Sequence, residues 1–277
     1  MVLDCKGESI VAKDVRNQKS KDIEPVKSPL ALPTGTPDWL AAYNEVDESK
    51  TAMAEHRVLA RIKVVQALSN PEIKDKFGDG SVIATPSNVL LCEKRGEIFF
   101  VPVLFFPEYI SWADRNDSNS PAILARSFEK TSEVGIKARS SETREEEYGD
   151  GFIKKNCEHL NFAGFLYGEH EFSGTPIVLS FSRAEHRVGS QMVTTAFMVK
   201  APLWSQVFRV APVFRDKGPQ KKWYGLEVSP AGFITAEEAE FFRTAHEELK
   251  TEFEARKLAV NHDDARDETA PGEDAEM

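Results

Sequence analysis

One short run constrains this chain more than any other. Glu97 to Phe106 is almost continuously apolar and holds Phe99, Phe100, Phe105 and Phe106. A run this apolar, bounded by polar sequence, reads as a strand that is mostly core. Pro102 lies inside it and has no backbone donor, so the strand must sit at a sheet edge or carry a bulge there. Other strand signals surround it. Arg57 to Val65 alternates in part between polar and apolar residues, as a half-buried strand would. Ser81–Ala84, Val89–Cys92, Leu160–Tyr167, Pro176–Ser182, Gln206–Phe214 and Lys222–Val228 follow. Turn chemistry separates several of them, at Pro86-Ser87-Asn88, around Gly174 and at Asp216-Lys217-Gly218-Pro219.

Two helices are expected. Val188 to Lys200 places Met192, Ala196 and Val199 on one side. Thr235-Ala236-Glu237-Glu238 has the pattern of a capping box. It opens a helix with Phe241, Phe242, Ala245, Leu249 and Phe253 near helical spacing, ending around Lys257. Strands dominate and their connections look hairpin-like. The expected fold is mainly β with α elements: a small antiparallel barrel or sandwich elaborated by an insertion.

Composition shifts divide the chain. Residues 1–55 form a polar arm with Pro25, Pro29 and Pro33, expected to be mostly disordered. Residues 56–234 form the β-rich core domain, interrupted at about 107–157 by a polar insertion with little core of its own. Residues 235–258 are the C-terminal helix, and 259–277 an acidic tail without apolar content, expected to be disordered. The cysteines Cys5, Cys92 and Cys157 are far apart and odd in number, which fits a reducing interior. No signal peptide and no 18-residue apolar window are present, so the expectation is a soluble cytoplasmic protein.

Charge is split along the chain. Glu237 to Met277 holds 14 acids against 5 Lys/Arg, nearly all of the net charge of −10. Within the near-neutral body, Ala201 to Tyr224 runs the other way. Arg209, Arg215, Lys217, Lys221 and Lys222 oppose the single acid Asp216, interleaved with Trp204, Phe208, Phe214, Trp223 and Tyr224. Cations among flat rings suit a single strand, whose phosphates need charge and whose exposed bases need stacking surfaces. Trp112, beyond the apolar run, is a further stacking candidate. Arg183 and Arg187, just after a strand, are phosphate-contact candidates, with an ion-pair network around Glu185 as the structural alternative.

Signals for catalysis are weak. There is no phosphate-binding glycine loop, no nucleophile elbow, no His-Glu-x-x-His and no dinucleotide fingerprint. Asp114, Asp117, Asp150 and Glu158 can be imagined as a metal-dependent nuclease site, but acids are common and nothing in the sequence fixes these four in space. Cys157-Glu158-His159 lacks the second ligand pair that zinc needs. No enzyme activity, metal or cofactor is expected.

Arg61–Ser69, Cys157–Phe162, Gly174–Phe181 and Ala201–Trp204 look like segments of tailed-phage proteins from early replication and recombination gene clusters. With its acidic tail, the body resembles phage single-stranded-DNA-binding proteins over about residues 37–255. The resemblance implies an oligonucleotide-binding-like antiparallel barrel that coats single strands in the host cytoplasm. It also implies an acidic tail that contacts replication or recombination enzymes. The chain departs from the simplest bacterial single-strand binders in its length, its insertion and its last residues, Ala275-Glu276-Met277, which lack an aromatic anchor. The competing expectation is a protein-interaction module, a phage assembly factor or a regulator of host transcription, without nucleic-acid affinity.

Overall fold

The computed structural model describes residues 57–67, 69–114, 116–149, 151–168, 174–218, 222–255, 258–260 and 262. The arm at 1–55, Lys221, Asp150 and the chain after His262 lie outside the described residues. Eleven strands form one mixed open sheet, joined by four helices among the described residues. In chain order these are β1 Arg57–Val64, α1 Pro71–Phe77, β2 Val82–Thr85, β3 Val89–Cys92, β4 Ile98–Trp112 and β5 Ile123–Ser127. Next come α2 Glu133–Arg139, β6 Glu145–Tyr148, β7 Phe152–Tyr167, β8 Ile177–Ser182, α3 His186–Val199 and β9 Gln206–Asp216. The last elements are β10 Lys222–Phe233, α4 Ala239–Glu254 and β11 Leu258–Val260.

The main path runs β10-β9-β4-β7-β8-β1-β2-β3, with β5 on β4, β6 on β7 and β11 on β1. Two pairings, β1 with β8 and β1 with β11, are parallel. The sheet is therefore mixed, where an antiparallel barrel was expected, and the oligonucleotide-binding barrel is not established. The end strand β10 does approach the segment just after β1, two strands in from the other end of the path. The Gln66 side chain donates to the Tyr224 carbonyl at 2.6 Å and accepts from the Tyr224 N–H at 3.0 Å. One side-chain amide thus stands where a strand-to-strand ladder would close the sheet.

The apolar run forms the heart of β4, paired with β7 on one side and β9 on the other. Pro102 takes the bulge, since the β4–β7 register shifts between Pro102 and Leu104. A bulge adds one residue and reverses which face each following side chain meets. Phe100 accordingly belongs to one core, whereas Val101, Val103 and, past the bulge, Phe106 belong to the other. Gly164 faces Pro102, and a Cβ there would collide with the Val101 carbonyl.

Each face of the sheet carries its own core. On one, Phe100, Phe162, Phe181 and Phe208 pack with Met192 of α3. On the other, Val101, Val103, Phe165 and Val178 pack with Phe242, Ala245 and Leu249 of α4. The capping pattern before α4 is formed: Glu238 Oε2 accepts from the Thr235 N–H at 2.9 Å and from its hydroxyl at 2.8 Å.

The insertion is smaller than its composition suggested. Residues 107–112 and 152–157 are the outer halves of β4 and β7, the two longest strands. Only β5, α2 and β6 are added, clipped onto those halves around a small core of Ile110, Trp112 and Cys157. The body also continues past the helix, where the tail was expected to begin. β11 pairs with β1, and His262 is buried.

Candidate nucleic-acid interface

The sequence-predicted residues separate into three settings. Arg183, Arg187 and Lys217 line one open groove of 860 Å³. Across it, the insertion contributes Arg139, Arg144 and Lys155. Six Lys/Arg thus face three acids, Glu142, Glu145 and Glu158. Arg139, Arg144, Arg187 and Lys217 are exposed. Glu158 is engaged by His186, with Oε2 3.1 Å from Nε2. Lys155 lies 3.6 Å from Glu145. Lys217 also reaches over the Trp223 ring, 5.4 Å from its centroid. A cationic groove with an indole at its rim is thereby assembled from the β9–β10 turn, the start of α3 and the insertion.

The second setting is a cavity of 150 Å³ beside that groove, where β1 and β8 meet β10. Arg183 and Ala184 line both spaces. Trp223 and Tyr224 lie on its β10 side. Trp223 Nε1 donates to Glu185 Oε1 at 3.1 Å, and Arg215 Nε lies 3.6 Å from the same oxygen. Glu185 comes this close because position 225 is glycine: a Cβ there would collide with its carboxylate. Tyr224 packs on Phe214 at 5.1 Å, under Lys94. Glu185 does centre a network, but the partners it draws in are Arg215 and Trp223 of the hairpin, which it ties to the protein.

The other predicted residues lie apart from both spaces. Arg209 pairs with Glu97 at 2.5 Å, and Lys222 with Asp216 at 3.2 Å. Trp204 packs against the core under α4. Trp112 is 8% exposed, set among His159, His262 and Ile123, which leaves little ring surface for stacking. Lys221 lies outside the described residues.

Sequence reasoning missed two sets of cations. Arg139 and Arg144 sat in the insertion, where as many acids as cations between residues 137 and 155 gave no local sign of a cationic patch. Arg61 and Lys63 line the cavity and are only 4% and 3% exposed. Both lie on β1, two residues apart, so they share a face. That face was expected to meet solvent.

A buried polar cluster continues from the cavity along the same side of the sheet. Glu108 accepts from Asn161 Nδ2 at 2.9 Å, lies 3.0 Å from His262 Nε2 and pairs with Arg126. Burial alone would raise the Glu108 pKa. The hydrogen bond and charge of His262, with the Arg126 charge, hold it below the usual carboxylate range. His159 stands opposite Glu108 on β7, its ring 5.4 Å from His262. Burial, then the positive charges of His262, Arg61 and Arg183, push its pKa well below the ordinary histidine value.

The carboxylates considered for catalysis have other partners. Asp114 accepts from the Asn116 and Ile153 N–H groups, and Asp117 from Asn119, Ser120 and the Tyr148 hydroxyl. Cys157 Sγ accepts from Arg183 Nε at 3.3 Å. Among the described residues, no three His, Cys, Asp or Glu side chains are grouped to hold a metal ion. None of the described helices is long and apolar enough to cross a membrane.

Comparison with known families places the chain among phage proteins. Residues 29–257 match the family described as Pam3 phage gp34-like protein, and the chain belongs to that family. No curated protein matches the chain, and no solved structure matches it.

Proposed function

We propose that this phage protein binds single-stranded DNA, without catalysis, during replication or recombination. The observation that carries the reading is the open groove in which Arg183, Arg187 and Lys217 meet Arg139 and Arg144 beside the Trp223 ring. Exposed cations along a groove neutralise phosphates, and a ring at the rim offers a stacking face. In this reading the acidic chain after His262, with 7 acids against Arg266, competes with DNA for the groove and recruits replication or recombination proteins.

A salt-titrated gel shift comparing single-stranded with duplex DNA tests it. Binding should favour single strands and weaken steeply with salt, with a logarithmic slope of about −0.7 per phosphate contacted. Reversing Arg187 and Lys217 to Glu should weaken binding at least ~10-fold and flatten that slope. Arg209→Glu, outside the groove, should leave both unchanged. Removing 263–277, which keeps His262, should tighten binding. If neither the full chain nor the truncated one binds oligonucleotides at low salt, the reading fails.

A second reading has its own observation. At the end of α3, Phe197 and Met198 are 84% and 73% exposed, with Val199 beside them. Contiguous exposed apolar side chains mark protein contacts. This face suits a protein-interaction module. Size-exclusion with host lysate, before and after nuclease treatment, separates a protein partner from a nucleic-acid bridge.

A further inference from the structure

Packing alone does not account for the polar character of the cavity between β1, β8 and β10. Burying a cation costs several kcal/mol unless it is well paired. Here Arg61 and Lys63 are buried side by side, and Arg183 reaches in from the turn before α3. None of the three is without a partner in the protein. What sets the cavity apart is that all three converge on one small space. The acid in the lining is Glu185, whose Oε1 is already used by Trp223 and Arg215. His159 also lines the cavity, is 5% exposed, and neither ring nitrogen has a hydrogen-bond partner among the described residues.

We infer that this cavity binds a small phosphate-class anion, either inorganic phosphate or the terminal phosphate monoester of a nucleotide or strand end. Two guanidinium groups and an ammonium match an anion with several oxygens, because Arg presents forked donors and Lys a point charge. Neutral His159 adds one N–H donor at the cavity wall. A space of about 150 Å³ accommodates a benzene-sized guest, so size admits a phosphate. Trp223 and Tyr224, also in the lining, are placed to meet whatever the phosphate is attached to. The inference does not depend on strand binding, since inorganic phosphate tests it alone.

The full-length protein is titrated with inorganic phosphate, a nucleoside monophosphate and the matching nucleoside, against chloride at equal ionic strength. Calorimetry and the side-chain nitrogen signals of His159 are read together. Saturable phosphate binding that moves the His159 signals supports the site. Arg183→Gln, at a half-buried position, should weaken it about tenfold, and Lys63→Met should do the same if that variant folds. Equal affinity for phosphate and nucleotide assigns the site to the free ion. Tighter nucleotide binding, with none for the nucleoside, assigns it to a phosphate monoester. Absence of saturation, or His159 signals that stay fixed, overturns the inference. So does binding that appears only after residues 263–277 are removed, which would give the cavity to the chain's own acids.

Discussion

β1 and the β9–β10 hairpin are written in the same alphabet, cations set among apolar residues in an extended strand, yet their charges end in opposite places. Arg61 and Lys63 of β1 are sealed in the wall of a cavity. Arg209 and Lys222 of the hairpin stay near solvent, each against an acid. Alternation determines which side chains share a face. It does not say what will cover that face. β1 is flanked by β8, β2 and β11, whereas the hairpin pairs with β4 only over Phe208–Val210 and is held further out by side chains such as Gln66 and Glu185. Charge placed in a sheet interior is held tightly, while charge at a sheet end remains open to ligands and ions.

The sharpest way to break this contrast is charge reversal on each side of it. Lys63→Glu should lower the unfolding free energy by about 3–5 kcal/mol, because it replaces a buried ammonium with a carboxylate in surroundings built for the cation. Lys222→Glu should leave the urea midpoint essentially where it was, because exposed pairs contribute little. Equal effects would show that β1 is as open as the hairpin.

Acid titration gives the next largest effect. The folded-state pKa of His159 is depressed, so its contribution is full above the unfolded value of about 6.5 and is lost as pH falls. One proton taken up on unfolding gives a slope of at most about 1.4 kcal/mol per pH unit. Glu108 is depressed too, so it adds a further loss as pH drops through the carboxylate range. Denaturation midpoints measured from pH 7.5 to 4.5 should fall, and His159→Gln should flatten the upper part of that fall.

The smallest effect refines the hairpin side. Trp223→Phe keeps the ring but removes the donor to Glu185, and should cost about 1 kcal/mol of stability. If Trp223 also stacks on bases, the same variant should keep most of its affinity for single strands, while Trp223→Ala should lose about tenfold.

Much of the local structure was legible because it rests on short-range chemistry. The apolar run gave the central strand, and Pro102 forced the choice between edge and bulge that the bulge resolves. Thr235 and Glu238 announced the start of α4. What could not be read depends on distant pairing. The parallel neighbours of β1 come from residues 177–179 and 258–260, and no local pattern names them. Without them Arg61 and Lys63 look exposed. The insertion likewise seemed to lack a core because its β5 and β6 borrow one from the outer halves of β4 and β7. Of the groove, Arg183, Arg187 and Lys217 were visible as local cation clusters. Their meeting with Arg139 and Arg144 was not, since it needs the folded path of β7 between them.

The parallel seat of β11 beside β1 also has a consequence for synthesis. The first strand of the body waits for Ile177–Leu179 and then for Leu258–Val260 before its ladders are complete. At translation rates of about 5–20 residues per second, the nascent chain carries β1 with an unmet edge for roughly 5–25 seconds before β8 is made. Until β8 is made, that edge is open to any other extended segment nearby, and the Arg57–Leu59 stretch waits longer still, for β11.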